Sequence, residues 1–208
     1  MPDTYLRRYA PATERNRAPI LQVLRAHLPT QAQVLEIGSG TGEHAVFMAQ
    51  ASPGWTWQPT EVDAQALASI QSWIEHPGLS NVKPPRVLDV HASDWGVTPG
   101  LDAIVCCNVI HYSPWSSTPA LLDGAARLLK AGGVLYLYGP YMRHGVHTSA
   151  SNEAFDAWLK QRDPAFGVRN LETVEQEAVQ RGLHLHEVIP MPANNLSVIF
   201  HNVQRKPV

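Results

Sequence analysis

The chain has 208 residues, 44% of them hydrophobic and 16% charged, with ten histidines and a formal net charge of −2. That length and apolar share support one folded domain with a sizeable core and exclude a disordered chain. The near-neutral balance, with no run of Lys or Arg, lacks the footprint of a DNA-binding protein, and no stretch reaches the ~18 consecutive apolar residues of a membrane span.

The opening MPDTYLRRYAPATERNR is polar and has no apolar signal-peptide core. Cys106 and Cys107 are neighbours rather than a disulfide framework, so a reducing, cytoplasmic setting is expected. After this arm, residues 14–28 read as a helix with Ile20, Leu21, Leu24 and Leu28 on one face. Residues 33–37 form a first strand that runs into Gly38-Ser-Gly-Thr-Gly42, and a helix follows over 43–51. Residues 55–60 are a second strand, and Asp63 is placed to cap a helix ending near Glu75. Strands are expected at 86–90 and 101–107, a helix at 119–130 ended by Gly132-Gly133, and a fifth strand at 134–138. Helices at 152–161 and 171–181 precede two last strands, 183–189 and 196–203.

Strands alternating with helices predict a parallel α/β sheet, and the two closing strands, with no helix between them, predict an antiparallel hairpin. The expected fold is a doubly wound, seven-stranded, mostly parallel sheet with a C-terminal hairpin, the Rossmann-like arrangement of class I methyltransferases. Residues 1–208 read as one domain, with 1–28 as an arm and helix covering the active site.

The stretch Val34-Leu-Glu-Ile-Gly-Ser-Gly-Thr-Gly-Glu-His44 is the most informative. Glycines after a first strand allow a tight turn and close approach of a ligand. The dinucleotide pattern G-x-G-x-x-G fails, because Glu43 stands at its sixth position. A pyrophosphate would also meet Glu36 and Glu43. S-adenosylmethionine carries ammonium and sulfonium charges instead, which a carboxylate favours. Glu36, Gly38, Ser39 and Gly40 are therefore expected to bind that cofactor. Glu61, at the end of the second strand, is placed to accept from ribose hydroxyls, with Asp63 as its substitute. Asp89 and the backbone of Val90 are placed for adenine, and Asn108 for the methionine moiety. His111 and Tyr112 follow at the end of the fourth strand and are expected to face the acceptor; a hydrogen-bonded core imidazole is the other reading of His111.

Several further segments carry a resemblance. Arg8-Tyr-Ala-Pro-Ala-Thr-Glu-Arg-Asn-Arg17, Trp57-Gln-Pro-Thr-Glu61, Asn108-Val-Ile-His-Tyr-Ser-Pro-Trp115, Tyr138-Gly-Pro-Tyr141, the run from His147 to Asp156, Arg162-Asp-Pro164 and Met191-Pro-Ala-Asn-Asn-Leu196 lie outside the generic glycine loop. With that loop they resemble, over essentially the whole chain, a domain-of-unknown-function family of class I S-adenosylmethionine-dependent methyltransferases that includes methyltransferase-like protein 26. The resemblance implies the seven-stranded fold and S-adenosylmethionine, and it implies no particular substrate. The chain departs from the family's pattern at Glu61, where Asp is common, and at Tyr112, where an apolar residue is common.

Methyl transfer is an in-line displacement at an activated carbon, so alignment and water exclusion can supply much of the rate. A base is needed only if the acceptor loses its proton early. His111, Tyr141 and His144 are the candidates for that role. Tyr9, Arg15, Asn16, Tyr112 and His147 are the candidates for holding a small-molecule acceptor. No H-E-x-x-H or Cys/His zinc spacing is present, so no catalytic metal is expected. His27, His76, His184, His186 and His201 fall away from the predicted site, and His44 lies beside the loop. Two other functions fit the same elements: an NAD-dependent oxidoreductase and a non-catalytic cofactor-binding adaptor.

Overall fold

The computed structural model describes residues 6–76 and 78–203; the first five residues of the predicted arm lie outside them. Helix α1 (Pro11–His27) leads into β1 (Ala32–Ile37), α2 (Glu43–Ala51), β2 (Trp55–Glu61) and α3 (Ala64–Glu75). Then follow β3 (Arg86–Val87), β4 (Leu101–Cys107), α4 (Ser117–Leu128) and β5 (Leu129–Gly139). The short strands β6 (Tyr141–Arg143) and β7 (Val146–His147) precede α5 (Ala150–Arg162), β8 (Arg169–Asn170) and α6 (Leu171–Val179). The chain closes with β9 (Leu183–Met191) and β10 (Asn195–Asn202).

The main sheet has seven strands in the order β3-β2-β1-β4-β5-β10-β9. Strands β1, β2, β3, β4 and β5 pair in parallel, whereas β10 runs antiparallel to both β5 and β9. Strand β1 is central and buried on both faces, which is why VLEI reads as a near-continuous apolar run. Alternation along β5 sends Val134, Tyr136 and Tyr138 into a core with α1, α2 and α3, and sends Leu135 and Leu137 into a core with α4 and α6. Order reverses between β1 and β4, so the crevice at their carboxyl ends is the place where such sheets hold ligands.

Three expectations need correction. The third strand stops at Val87 rather than at residue 90, because Asp89 folds the chain back: its Oδ1 accepts from His91 N at 2.9 Å and its carbonyl from Ala92 N at 3.0 Å. Helix α4 ends at Leu128, before Gly132-Gly133, because Asn202 Nδ2 donates to the carbonyls of Ala126 (3.2 Å) and Leu129 (2.8 Å). The three-stranded sheet β7-β6-β8 was not foreseen, since strands of two or three residues are too short to show a period. Its β6–β7 turn places His144 (φ 51°) and Gly145 (φ 77°) in left-handed conformations, as a tight hairpin requires.

The segment before α1 is fastened across the glycine loop. Ala10 N donates to Glu43 Oε2 (2.6 Å), Arg8 N to Ser69 Oγ (2.8 Å), and Trp73 Nε1 to the Arg8 carbonyl (2.9 Å). Glu43 also accepts from Thr41 Oγ1 at 2.9 Å, so one buried carboxylate holds both loop and arm. Removing a charged hydrogen-bond partner costs about 1.5–3 kcal/mol. Glu43→Ala is therefore expected to lower stability by about that amount and to speed amide exchange at Ala10 more than in β1; equal protection at Ala10 in both proteins would contradict the fastening.

Candidate cofactor and acceptor site

The glycine loop is held from beneath. Glu36 is buried, and its Oε2 accepts from Ser39 Oγ (2.7 Å) and Trp57 Nε1 (2.9 Å). Thr60 Oγ1 donates to the Glu36 carbonyl at 2.6 Å, and Ser39 N donates to the Thr60 carbonyl at 2.9 Å. Burial pushes the Glu36 carboxyl up to about 7. Glu36 and Ser39 thus shape the loop from beneath, and neither borders the cavity beside it.

Gly38 adopts φ +67°, and a Cβ there would lie 2.4 Å from Val109 Cγ2, so only glycine lets the turn after β4 close onto the loop. That turn begins at Asn108, itself left-handed (φ 64°), with its N–H donated to the Tyr138 carbonyl at 2.7 Å. Between loop and turn lies a cavity of about 290 Å³, bordered by Gly38, Glu61, Asp89, Val90, His91 and Tyr112. The Glu61 carboxylate accepts from Gly40 N (2.9 Å) and Val62 N (2.8 Å). A carboxylate has about four acceptor positions, so Glu61 retains capacity for hydroxyl donors. His91, given no role above, joins this rim, with Nε2 3.0 Å from Ser117 Oγ.

A second cavity, of about 430 Å³, opens on the other side of Tyr112. Asn16, Asn108, Tyr138, Asn152, Phe155, Asn194 and Asn195 border it. Asn16 also meets His44, Oδ1 to Nε2 at 2.8 Å, and burial holds that imidazole down at about 4. Asn152 Nδ2 donates to the Asn194 carbonyl at 2.9 Å, which ties α5 to the β9–β10 turn. Tyr112 stands edge-on to Phe155 (5.8 Å between centroids) and Trp158 (6.0 Å). Tyr138 is bonded to Asn16 and Asn195, with Arg15 nearby; burial raises its phenol above the ordinary range. Asn152, Asn194 and Asn195 were quoted in the family resemblance, yet nothing in their spacing marks them as one wall.

The three proposed base residues are elsewhere. His111 and Tyr141 are fully buried, edge to face at 5.1 Å, and neither borders either of these two cavities. Burial, helped by Arg169, holds His111 down at about 3, and burial raises Tyr141 well above its usual range. His111 instead organises backbone: its carbonyl accepts from Gly167 N (3.0 Å) and its Nδ1 from Arg169 N (3.4 Å). His144 is exposed beside Glu172, Nδ1 to Oε1 at 3.7 Å. His147 faces Asp156, Nε2 to Oδ2 at 3.6 Å, and Tyr9 packs on Trp73 at 5.1 Å. None of these three borders either cavity, because local ion pairs and ring contacts hold them. Arg169, overlooked in the sequence, donates to the carbonyls of Ile110 (2.9 Å) and Ser113 and so fixes the turn that carries Tyr112.

A profile of one protein family matches residues 7–202. The chain belongs to the DUF938 family, whose description is "Protein of unknown function". This DUF938 member is 26% identical to a tRNA (guanine-N(7)-)-methyltransferase of Nitrosomonas eutropha over 176 residues, 77% of this chain and 76% of that protein. An O-methyltransferase family protein from Burkholderia thailandensis superposes with a TM-score of 0.79 at 16% identity, covering 94% of this chain and 58% of that one. SibL, an S-adenosylmethionine-dependent methyltransferase solved in its apo form, gives 0.76 at 16% identity, with 93% and 56% covered. The chain thus spans a little over half the length of these two solved proteins. Their likeness shows the fold, which is that of class I methyltransferases.

The burial of Glu36 has a measurable consequence. Its folded pKa of about 7 exceeds the unfolded value of 4.5, so the folded state binds more protons between those limits. Its contribution to stability is then lost as pH rises through that window, by about 3 kcal/mol in total. Glu36→Gln keeps an acceptor for Trp57 and Ser39 without the titration. Thermal melting should show the two proteins alike near pH 4 and the variant gaining between about pH 4.5 and pH 7, with the difference constant above that. A difference independent of pH would contradict a raised carboxyl.

Proposed function

We propose that this chain is an S-adenosylmethionine-dependent methyltransferase acting on a small, neutral acceptor, and that its kinship extends to methyltransferase-like protein 26. One observation carries the reading: two cavities at the carboxyl edge of the parallel strands meet at Tyr112, one bordered by acids and the other by amides and aromatic rings. The acids suit an adenosine cofactor. Glu61 would accept from ribose hydroxyls, Asp89 and Val90 would meet adenine, and Gly38 and Gly40 would let the ligand approach the backbone. Asn108 would face the methionine moiety. When bound, S-adenosylmethionine supplies an electrophilic methyl group on sulfur.

The chain's own part is alignment. Asn16, Asn152 and Asn195 offer neutral donors and acceptors that orient a polar, uncharged molecule in the second cavity. Tyr112 and Phe155 exclude water from one side. Among the described residues no carboxylate or imidazole borders this cavity, and the reaction rests on approach geometry rather than on a positioned base. The relative from N. eutropha is named for a tRNA substrate, but a net charge of −2 and the volume of about 430 Å³ favour a small acceptor here. Among the described residues, 6–28 are the arm and first helix of a single domain, and Asn16 carries their contribution to the acceptor wall. A cytoplasmic location accords with two free thiols; among the described residues no helix is long and apolar enough to cross a membrane.

Calorimetric titration tests the assignment. The chain should bind S-adenosylmethionine and its demethylated product, and Glu61→Ala should weaken both by about 10- to 100-fold, the cost of charged hydrogen bonds. Binding of NAD in preference to the demethylated product would identify an oxidoreductase instead. Cofactor binding with no methyl transfer to any small-molecule pool, and partner binding that survives Glu61→Ala, would identify an adaptor.

A further inference from the structure

His27, His186 and His201 come from three elements with no spacing in common, and folding gathers them far along the sheet from the glycine loop. His27 is the last residue of α1. In the β9–β10 pair, Ile199 opposes Glu187 and Phe200 opposes Leu185, which leaves His186 as the extra residue of a β-bulge. His201 alternates with Phe200 and so shares the sheet face of Ile199, which packs in the core beneath α1. The His186 and His201 rings stack at 4.3 Å with 15° between planes, and His27 meets His186 edge-on at 5.7 Å. One ring nitrogen from each residue lies within 4.8 Å of the others.

We propose that His27, His186 and His201 form a binding site for a divalent transition-metal cation of the zinc class. Tetrahedral zinc with metal–nitrogen bonds of about 2.0 Å sets its nitrogens about 3.3 Å apart, so the triad closes when the His186 ring turns out of its stack on His201. The exposed His186 can make such a rotation. His201 Nε2 is buried and has no partner among the described residues. The neighbouring charged groups agree. Glu187 Oε2 lies 3.3 Å from His27 Nε2, where a carboxylate orients a ligating imidazole or joins as a fourth ligand. The carboxyl end of α1, which carries His27, is the negative end of its macrodipole. Three imidazoles select zinc, nickel or copper over magnesium and calcium, which take oxygen ligands.

The ion would clasp the end of α1 to the β9–β10 hairpin. Both elements also border the acceptor cavity, through Asn16 and through Asn194 and Asn195. The site therefore ties together two walls from behind, independently of what the cavity binds.

The full-length chain, freed of metal, is titrated with Co²⁺ while visible d–d absorption is followed, and with Zn²⁺ in competition with a chromophoric chelator. One tetrahedral equivalent is expected, with Mg²⁺ failing to compete. His186→Ala, at an exposed position, and His27→Gln should each weaken Zn²⁺ binding by more than the roughly 10- to 100-fold that loss of an outer-shell partner costs, while His76→Ala leaves it unchanged. Circular dichroism checks that each variant is folded. Equal Zn²⁺ affinity in wild type and both triad variants, or no binding by the wild type, overturns the proposal.

Discussion

A carboxyl group buried beneath a glycine loop is the constraint on which this site depends. Glu36 lies on the central strand, and its Oε2 gathers Trp57 from the next strand and Ser39 from the loop. Leaving that carboxyl unpaired in the core would be costly, so the two donors are obligatory partners. Their geometry sets the loop's path. The path presents Gly40 N to Glu61 and leaves Gly38 open to Val109, so both the cavity beside the loop and the turn after β4 follow from one buried group.

The second, asparagine-lined cavity has a different origin. Its wall is assembled from α1, the end of β5, α5 and the β9–β10 turn, none adjacent in sequence. What holds them is a set of directional bonds: Asn152 to Asn194, Asn16 to His44, and Arg169 to the carbonyls of Ile110 and Ser113. His111 and Tyr141 belong to this supporting layer. A Cβ on Gly139 would come within 2.4 Å of His111 Nε2, so the glycine after Tyr138 is what admits the imidazole. The two residues look catalytic in sequence because they follow strand ends, where functional groups gather, but their side chains turn inward.

Period and turn chemistry made most of the fold legible. Strands such as 101–107 and helices such as 43–51 carry enough residues to show their repeat, and Asp63 caps α3 through Ala66 N at 2.9 Å as its type suggests. The short strands β6, β7 and β8 carry too few. The early end of α4 was hidden for another reason, because the side chain that captures its last carbonyls is Asn202, over seventy residues away. The cavity at the glycine loop was legible through a glycine pattern and strand-end acids, which are local. The asparagine-lined cavity was not, because asparagines acquire a common direction only in three dimensions.

The histidines make the same division. By itself the sequence determined the class of sheet, the loop and the acids at its edge, since these follow from repeat, conformational freedom and charge within a few residues. Only the tertiary structure decided which side chains meet. It buried His111, left His144 in solvent, brought His91 to the cavity rim, and drew His27, His186 and His201 to one point. Convergence of distant residues is a property of packing, register and a single bulge in β9, and those are set by the whole chain at once.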